Sequence, residues 1–347
     1  MLPTHLFFLS AVIASFALYV ALAWSPKIFL LDQPNARSLH DVPKPRYGGI
    51  AMAIAVVVVV SFLDLQSVRT ILWLSLVLLV ISLLDDLRPL PVLLRLCVHA
   101  AAATIAVVFV TTPAAATQPL QELFQHSLAT TSAFGIVILF VIWMTNLFNF
   151  MDGADGLAGG MTIIGFGTYA LAAADTGDTG YAIATIATAI AGAAAGFLFF
   201  NFPPARVFMG DAGSVPLGFL AAMLGICGHR SGLWPWSFCL LLFSPFIVDA
   251  SITLVKRALR GEKIWQAHRE HYYQRLILGG WSHRKTVFSY YILMLSSAIS
   301  ALATQNTQLQ YPILGFWVIT YASLLLYVEH RIFKNKKATQ KAIDQAK

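Results

Sequence analysis

Long apolar runs, separated by short polar segments, fill the chain from residue 4 to residue 330. About 20 apolar residues in helical form cover the roughly 30 Å of hydrocarbon in a bilayer. Eleven runs approach that length and predict spans at 4–24, 47–64, 69–85, 93–112, 133–151, 157–174, 181–200, 214–229, 235–255, 286–303 and 311–330. Alternating apolar and polar segments of the β-barrel kind are absent, so the expected fold is an all-α, polytopic membrane bundle. No internal repeat divides it. A single transmembrane domain over 1–332 is expected, followed by a basic tail at 333–347 that frays.

Composition agrees: 58% of residues are hydrophobic and 11% charged, against about 25% charged in soluble domains. If the spans alternate sides with the N-terminus outside, every Lys and Arg except Arg69 and Arg230 falls on the inner side, together with the C-terminus. The positive-inside bias predicts that distribution. The first run lacks a preceding cation and a following cleavage pattern, so it reads as a retained helix. A net charge of +7 is therefore mainly a record of topology and implies no nucleic-acid partner. Cys97, Cys227 and Cys239 lie in apolar runs and predict packing rather than a disulfide framework.

Polar residues gather where the runs end. "DQPNARSLHDVPKPRYGG" (32–49) forms the first inner loop, and Asp85 and Asp86 close the third run in "VISLLDDLRPLP". "NLFNFMDGADGLAGG" (146–160) closes the fifth, "NFPPARVFMGDAGS" (201–214) joins the seventh to the eighth, and "HREHYYQRL" (268–276) precedes the tenth. All five fall on the inner side, which favours a site over scattered helix ends. Its acids are Asp85, Asp86, Asp152, Asp155 and Asp211, its carboxamides Asn146, Asn149 and Asn201. Lys44, Arg46, Arg95, Arg206, Arg269 and Arg275 are its cations and His40, His268 and His271 its imidazoles. Oxygen ligands without a Cys or His cluster suit Mg²⁺ or Mn²⁺, while the cations suit phosphate. Acids to hold a metal and cations to hold an anion are the equipment of phosphoryl transfer. At a membrane surface, one substrate is expected to be a soluble phosphate compound and the other a lipid.

In their order, these five motifs resemble the polyprenyl-phosphate N-acetylhexosamine-1-phosphate transferases, which start O-antigen and related surface polysaccharides. The phospho-N-acetylmuramoyl-pentapeptide transferases are related to them. The resemblance implies transfer of a sugar 1-phosphate from a UDP-N-acetylhexosamine to undecaprenyl phosphate, with release of UMP and a need for Mg²⁺ or Mn²⁺. It places the protein in a bacterial inner membrane with its site facing the cytoplasm, and is compatible with a homodimer. It implies catalytic roles for Asp85, Asp86 and Asp152, as base, as metal-binding group or in orienting the acceptor, and metal-holding roles for Asn149 and Asp211. Lys44, Arg46, Arg95, Asp155, Asn201, Phe208, His268, Arg269 and His271 become substrate-binding positions, with Phe208 stacking on uracil. "HREH" departs from the His-rich triplet of the muramoyl-pentapeptide branch, which disfavours that substrate. The motifs are closer to the branch that uses ordinary or 6-deoxy N-acetylhexosamines. Ser38 stands where many members carry a Lys after Arg37.

Bland readings compete with each residue. An Asp pair can be a solvated helix cap, a His pair an interfacial feature, and Asp249, inside the ninth run, a buried structural acid. An ion-coupled transporter also carries intramembrane acids and broken helices, although such sites lie near the bilayer midplane between repeats.

Overall fold

Helix is the only secondary structure that satisfies every backbone polar group within one segment in a hydrocarbon environment, and the apolar runs adopt it throughout. The computed structural model describes residues 3–24, 30–34, 38–63, 65, 68–111, 128–174, 176–266 and 268–345. Thirteen α-helices appear among them: α1 (Thr4–Trp24), α2 (Gly48–Val60), α3 (Arg69–Leu87), α4 (Val92–Thr111), α5 (Leu128–Phe150), α6 (Leu157–Ala173), α7 (Gly177–Asn201), α8 (Asp211–Arg230), α9 (Trp236–Leu242), α10 (Ser244–Leu259), α11 (Tyr272–Leu278), α12 (His283–Ala303) and α13 (Gln310–Gln345). Two short strands, β1 (Leu31–Asp32) and β2 (Lys44–Pro45), pair antiparallel and close the first inner loop on itself. Lys27, Arg37, Lys347 and the ends of the expected 47–64 and 93–112 spans lie outside the described residues.

Eight helices among the described residues are long and apolar enough to cross a bilayer. The expected span at 235–255 is not one straight helix: α9 and α10 meet at 76°. Pro245 enters the first turn of α10, where its missing N–H and its ring prevent the preceding helix from running through. Counting that bent pair as one span gives nine. The remaining expected runs, α2 and α6, are apolar but shorter, at 13 and 17 residues. At the C-terminus the helix continues to Gln345 instead of fraying after residue 332. Lys, Ala and Gln are good helix formers there.

The centre of the bundle is built from small residues. In α8, 94% of the apolar stretch is buried, against 17% in α13. α1 and α6 pack along α7, while α3 and α5 pack along α8. Where α2 starts, the backbone N–H groups of Gly48 and Gly49 donate to the carbonyls of Phe208 and Met209, at 2.9 and 2.8 Å. This ties the first loop to the segment before α8. A Cβ on Gly49 would stand 2.2 Å from the Gly213 nitrogen, so two helix starts touch backbone to backbone. Gly49→Ala should therefore destabilise the protein by about 1 to 3 kcal/mol, the usual cost of overpacking. Thermal unfolding of the purified variant in detergent checks this.

Candidate active site

The five polar motifs meet at one end of the bundle. At its centre is Asp86, whose side chain is 1% exposed. Its Oδ1 accepts from Arg46 at 2.9 Å and its Oδ2 from the N–H of Ala212, in the first turn of α8, at 3.0 Å. Arg46 also donates to Asp32 at 2.6 Å. Asp85, one residue before, turns the other way: it accepts from the Leu90 N–H at 2.7 Å and from Arg95. Arg95 in turn lies 3.6 Å from Asp211. Two chains of alternating charge result, Asp32–Arg46–Asp86 and Asp85–Arg95–Asp211.

Asn149 completes the second chain. Its amide donates to Asp211 at 2.7 Å and to Ser214 at 3.1 Å. After Phe150 the helix tightens, since the Asp152 N–H reaches the carbonyl of Asn149 three residues back. Such a 3₁₀-type step sets Asp152 on the side of Asn149. A cavity of about 270 Å³ opens here, lined by Asn149, Asp152, Asp211, Arg46, Asn201, Phe208 and His268, and by Asp32, Ser38, His40, Gly210 and Gln274. Residue 152 keeps part of its surface exposed, and no donor among the described residues pairs with its carboxylate. Burial of that carboxylate, then the charges of Asp211 and Asp86, push its pKa well above the usual range. Asp85 and Asp86 stand behind the cavity, engaged with cations and backbone.

Several expected substrate-binding residues already have partners within the protein. Asp155 accepts from the Ala205 N–H at 2.9 Å and lies 3.7 Å from Lys44 and 3.9 Å from His283. Asn201 uses both ends of its carboxamide, accepting from Gly156 N–H and donating to Val207 carbonyl, each at 2.8 Å. Together they clasp the turn after α5 to the segment before α8. Phe208 carries the Lys44 ammonium over its ring, 4.9 Å from the centroid, with the His40 ring at 4.9 Å and 72°.

The loop before α11 is held by Asp249, 3% exposed in α10. It accepts from the backbone N–H groups of Tyr272 and Tyr273, at 2.8 and 3.0 Å, and from the Tyr290 hydroxyl. Thr253 and the His271 ring lie at 3.5 and 3.4 Å. His271 is thus buried beside Asp249, between Phe150 and Tyr273, and lines no part of the cavity. His268 does line it. Burial, then the charges of His271 and Arg257, lower its pKa to about 4, so the ring is neutral at physiological pH. Its Nδ1 accepts from the Glu270 N–H at 3.3 Å, which leaves Nε2–H as a donor. Arg269 is exposed and has no ion-pair partner among the described residues. Arg275 is occupied, clamped on Glu329 by two bonds of 2.6 and 2.7 Å.

Asp32 and Gln274 join the cavity without having been expected there, beside His40, one of the expected imidazoles. Asp32 had a discoverable signal, since a carboxylate preceding two cations in one loop can pair with either. No set of three His, Cys, Asp or Glu side chains among the described residues converges as a metal cage. Asn149, Asp152 and Asp211 still offer oxygen ligands on one wall, which suits a hard cation that draws its other ligands from phosphate and water.

Asp249→Ala removes the acceptor for two backbone N–H groups and a buried hydroxyl, at about 1 to 3 kcal/mol for each group left unsatisfied. The loop is expected to come loose. Faster tryptic cleavage at Lys263 and Arg269 in the folded variant, relative to the parent protein, checks this.

Comparison with known proteins places these motifs. Glycosyl transferase family 4 matches residues 68–229, which hold Asp85, Asp86, Arg95, Asn149, Asp152, Asp155, Asn201, Phe208 and Asp211. A probable undecaprenyl-phosphate N-acetylglucosaminyl 1-phosphate transferase of Bacillus subtilis is 29% identical, over 81% of this chain and 78% of the relative. A decaprenyl-phosphate N-acetylglucosaminephosphotransferase of Mycobacterium leprae is 27% identical, over 85% and 82%. A phospho-N-acetylmuramoyl-pentapeptide-transferase of Lacticaseibacillus paracasei is 36% identical over a shorter part, 50% of this chain and 55% of the relative. Residues 68–229 of this polytopic membrane protein are a glycosyl transferase family 4 domain, and its homologues are polyprenyl-phosphate sugar-phosphate transferases.

Proposed function

We propose that the protein transfers an N-acetylhexosamine 1-phosphate, from the UDP derivative of an ordinary or 6-deoxy sugar, to undecaprenyl phosphate. The products are the lipid-linked diphosphate sugar and UMP, as in the first membrane step of O-antigen or another surface polysaccharide. One observation carries the reading: acid and cation chains converge with Asn149 and the unpaired Asp152 on a polar cavity at the end of membrane helices. The relatives, by their names, act on polyprenyl phosphates and N-acetylglucosamine phosphates. The cation distribution supports a cavity on the cytoplasmic side, where nucleotide sugars are made.

Asn149 and Asp211, with Asp152 beside them, would hold Mg²⁺ or Mn²⁺ in this reading, and the ion would supply positive charge to neutralise the donor's diphosphate. An oxygen of the lipid phosphate attacks the β-phosphorus. The bond from that phosphorus to the oxygen bridging the α-phosphate breaks, and UMP leaves with the electron pair. A phosphate monoester has a second pKa of about 6 and is largely dianionic near neutral pH, so it needs little help from a base. Asp85 and Asp86 accordingly orient Arg95 and Arg46, which face the phosphates. Phe208 supports the nucleobase, and His268 Nε2–H donates to the sugar or its phosphate. A transporter reading gains nothing from the geometry, since the acids gather at helix ends.

Purified protein in lipid vesicles, given undecaprenyl phosphate, Mg²⁺ and a panel of UDP-sugars, should release UMP, and chelation of the metal should stop it. Absence of release with every sugar, in folded protein beside an active control enzyme, overturns the reading. Asp211→Asn should abolish turnover with membrane insertion intact, because it removes charge at nearly constant volume. Because His268 titrates near 4, His268→Gln should lower the rate without changing the shape of the pH–rate profile across neutral pH.

A further inference from the structure

The turn that leads into the site loop has an unusual tip. Gln266 N–H donates to the Lys263 carbonyl at 3.0 Å, which closes a β-turn with Ile264 and Trp265 at its central positions. Such positions favour Gly, Pro, Asn, Asp and Ser. Here they carry two large apolar side chains, 44% and 66% exposed. The turn is also rigid. Arg257, 5% exposed, donates to Glu262 at 2.8 Å and to the carbonyls of Gln266 and Lys263, at 3.2 and 3.4 Å. A single buried guanidinium therefore pins both sides of an exposed apolar tip.

The surroundings indicate what covers it. α10 buries Asp249, Thr253 and Arg257 and exposes Val255 and Leu259, at 53% and 83%. Those two residues lie one turn apart on a single exposed apolar ridge, and the chain carries that apolar surface on into Ile264 and Trp265. Lys263, exposed on the same turn, suits anionic headgroups. Trp favours the boundary between headgroups and hydrocarbon.

We infer that the Ile264–Trp265 turn is a membrane-interface anchor that inserts into the cytoplasmic leaflet beside the active site. It sets the height of the loop that follows, so that His268, three residues on, stands at the level of lipid phosphates. The anchor itself does not depend on the transferase reading; its kinetic consequence does.

Cysteines introduced one at a time as Ile264→Cys and Trp265→Cys, in a full-length Cys97→Ser background that keeps only the buried Cys227 and Cys239, test it when labelled with bimane. The protein is placed in phosphatidylethanolamine and phosphatidylglycerol vesicles containing brominated lipids. Asp41→Cys, in the exposed first loop, is the aqueous control, and Ile299→Cys, on the exposed face of α12, the lipid control. Labels at 264 and 265 should lose fluorescence as Ile299→Cys does, and more with bromine near the headgroup than at the chain end. Fluorescence retained as in Asp41→Cys overturns the proposal, as does crosslinking between two copies through residue 265. Trp265→Ser should raise the KM for undecaprenyl phosphate and leave that for the UDP-sugar unchanged. With quenching intact, an unchanged acceptor KM overturns the positioning role alone, and absence of any turnover in the parent protein overturns only the transferase reading.

Discussion

Asp86 is the point on which the site is built. Its two oxygens join three segments that are distant in sequence: the first loop through Arg46, α3 through its own backbone, and the start of α8 through the Ala212 N–H. A carboxylate at 1% exposure is tolerated because charge and hydrogen-bonding capacity are met together. The Gly48 and Gly49 bonds to the segment before α8 depend on the same approach. So does the position of Asp211, which begins α8 and turns towards Arg95 and Asn149.

A second tether works from the opposite wall. The break at Pro245 redirects α10, and this places Asp249 under the loop before α11 instead of in the line of a straight span. Two backbone N–H groups at the start of α11 then have a buried acceptor. The Arg275–Glu329 clamp secures α11 against α13. His268 reaches the cavity because the residues after it are fixed at both points.

Sequence reading located the bundle and the end at which the site lies, because hydrophobic run length and cation bias are both local signals. The tightened end of α5 has a local signal as well, since Gly153 and Gly156 bracket the turn. Pairing was far less legible. Nothing in "HREHYY" shows that His271 packs beside Asp249 while His268 faces the cavity, because that depends on the bend at Pro245. Asn201 and Asp155 are chemically fit to meet a ligand, yet their groups are already engaged with backbone across the clasp. The bend itself was written in Ser244–Pro245 and was masked by the unbroken apolar run around it.

Lys44, Arg46 and Arg95, all fit to meet phosphate, are each already partnered by a carboxylate. An anion that enters therefore meets cations whose charge is already balanced, so an anion that brings a cation of its own is favoured over a bare one. Chloride or inorganic phosphate brings none that fits the wall of Asn149, Asp152 and Asp211. The ion pairs thus weigh against bare small anions and in favour of a ligand that delivers both charges at once.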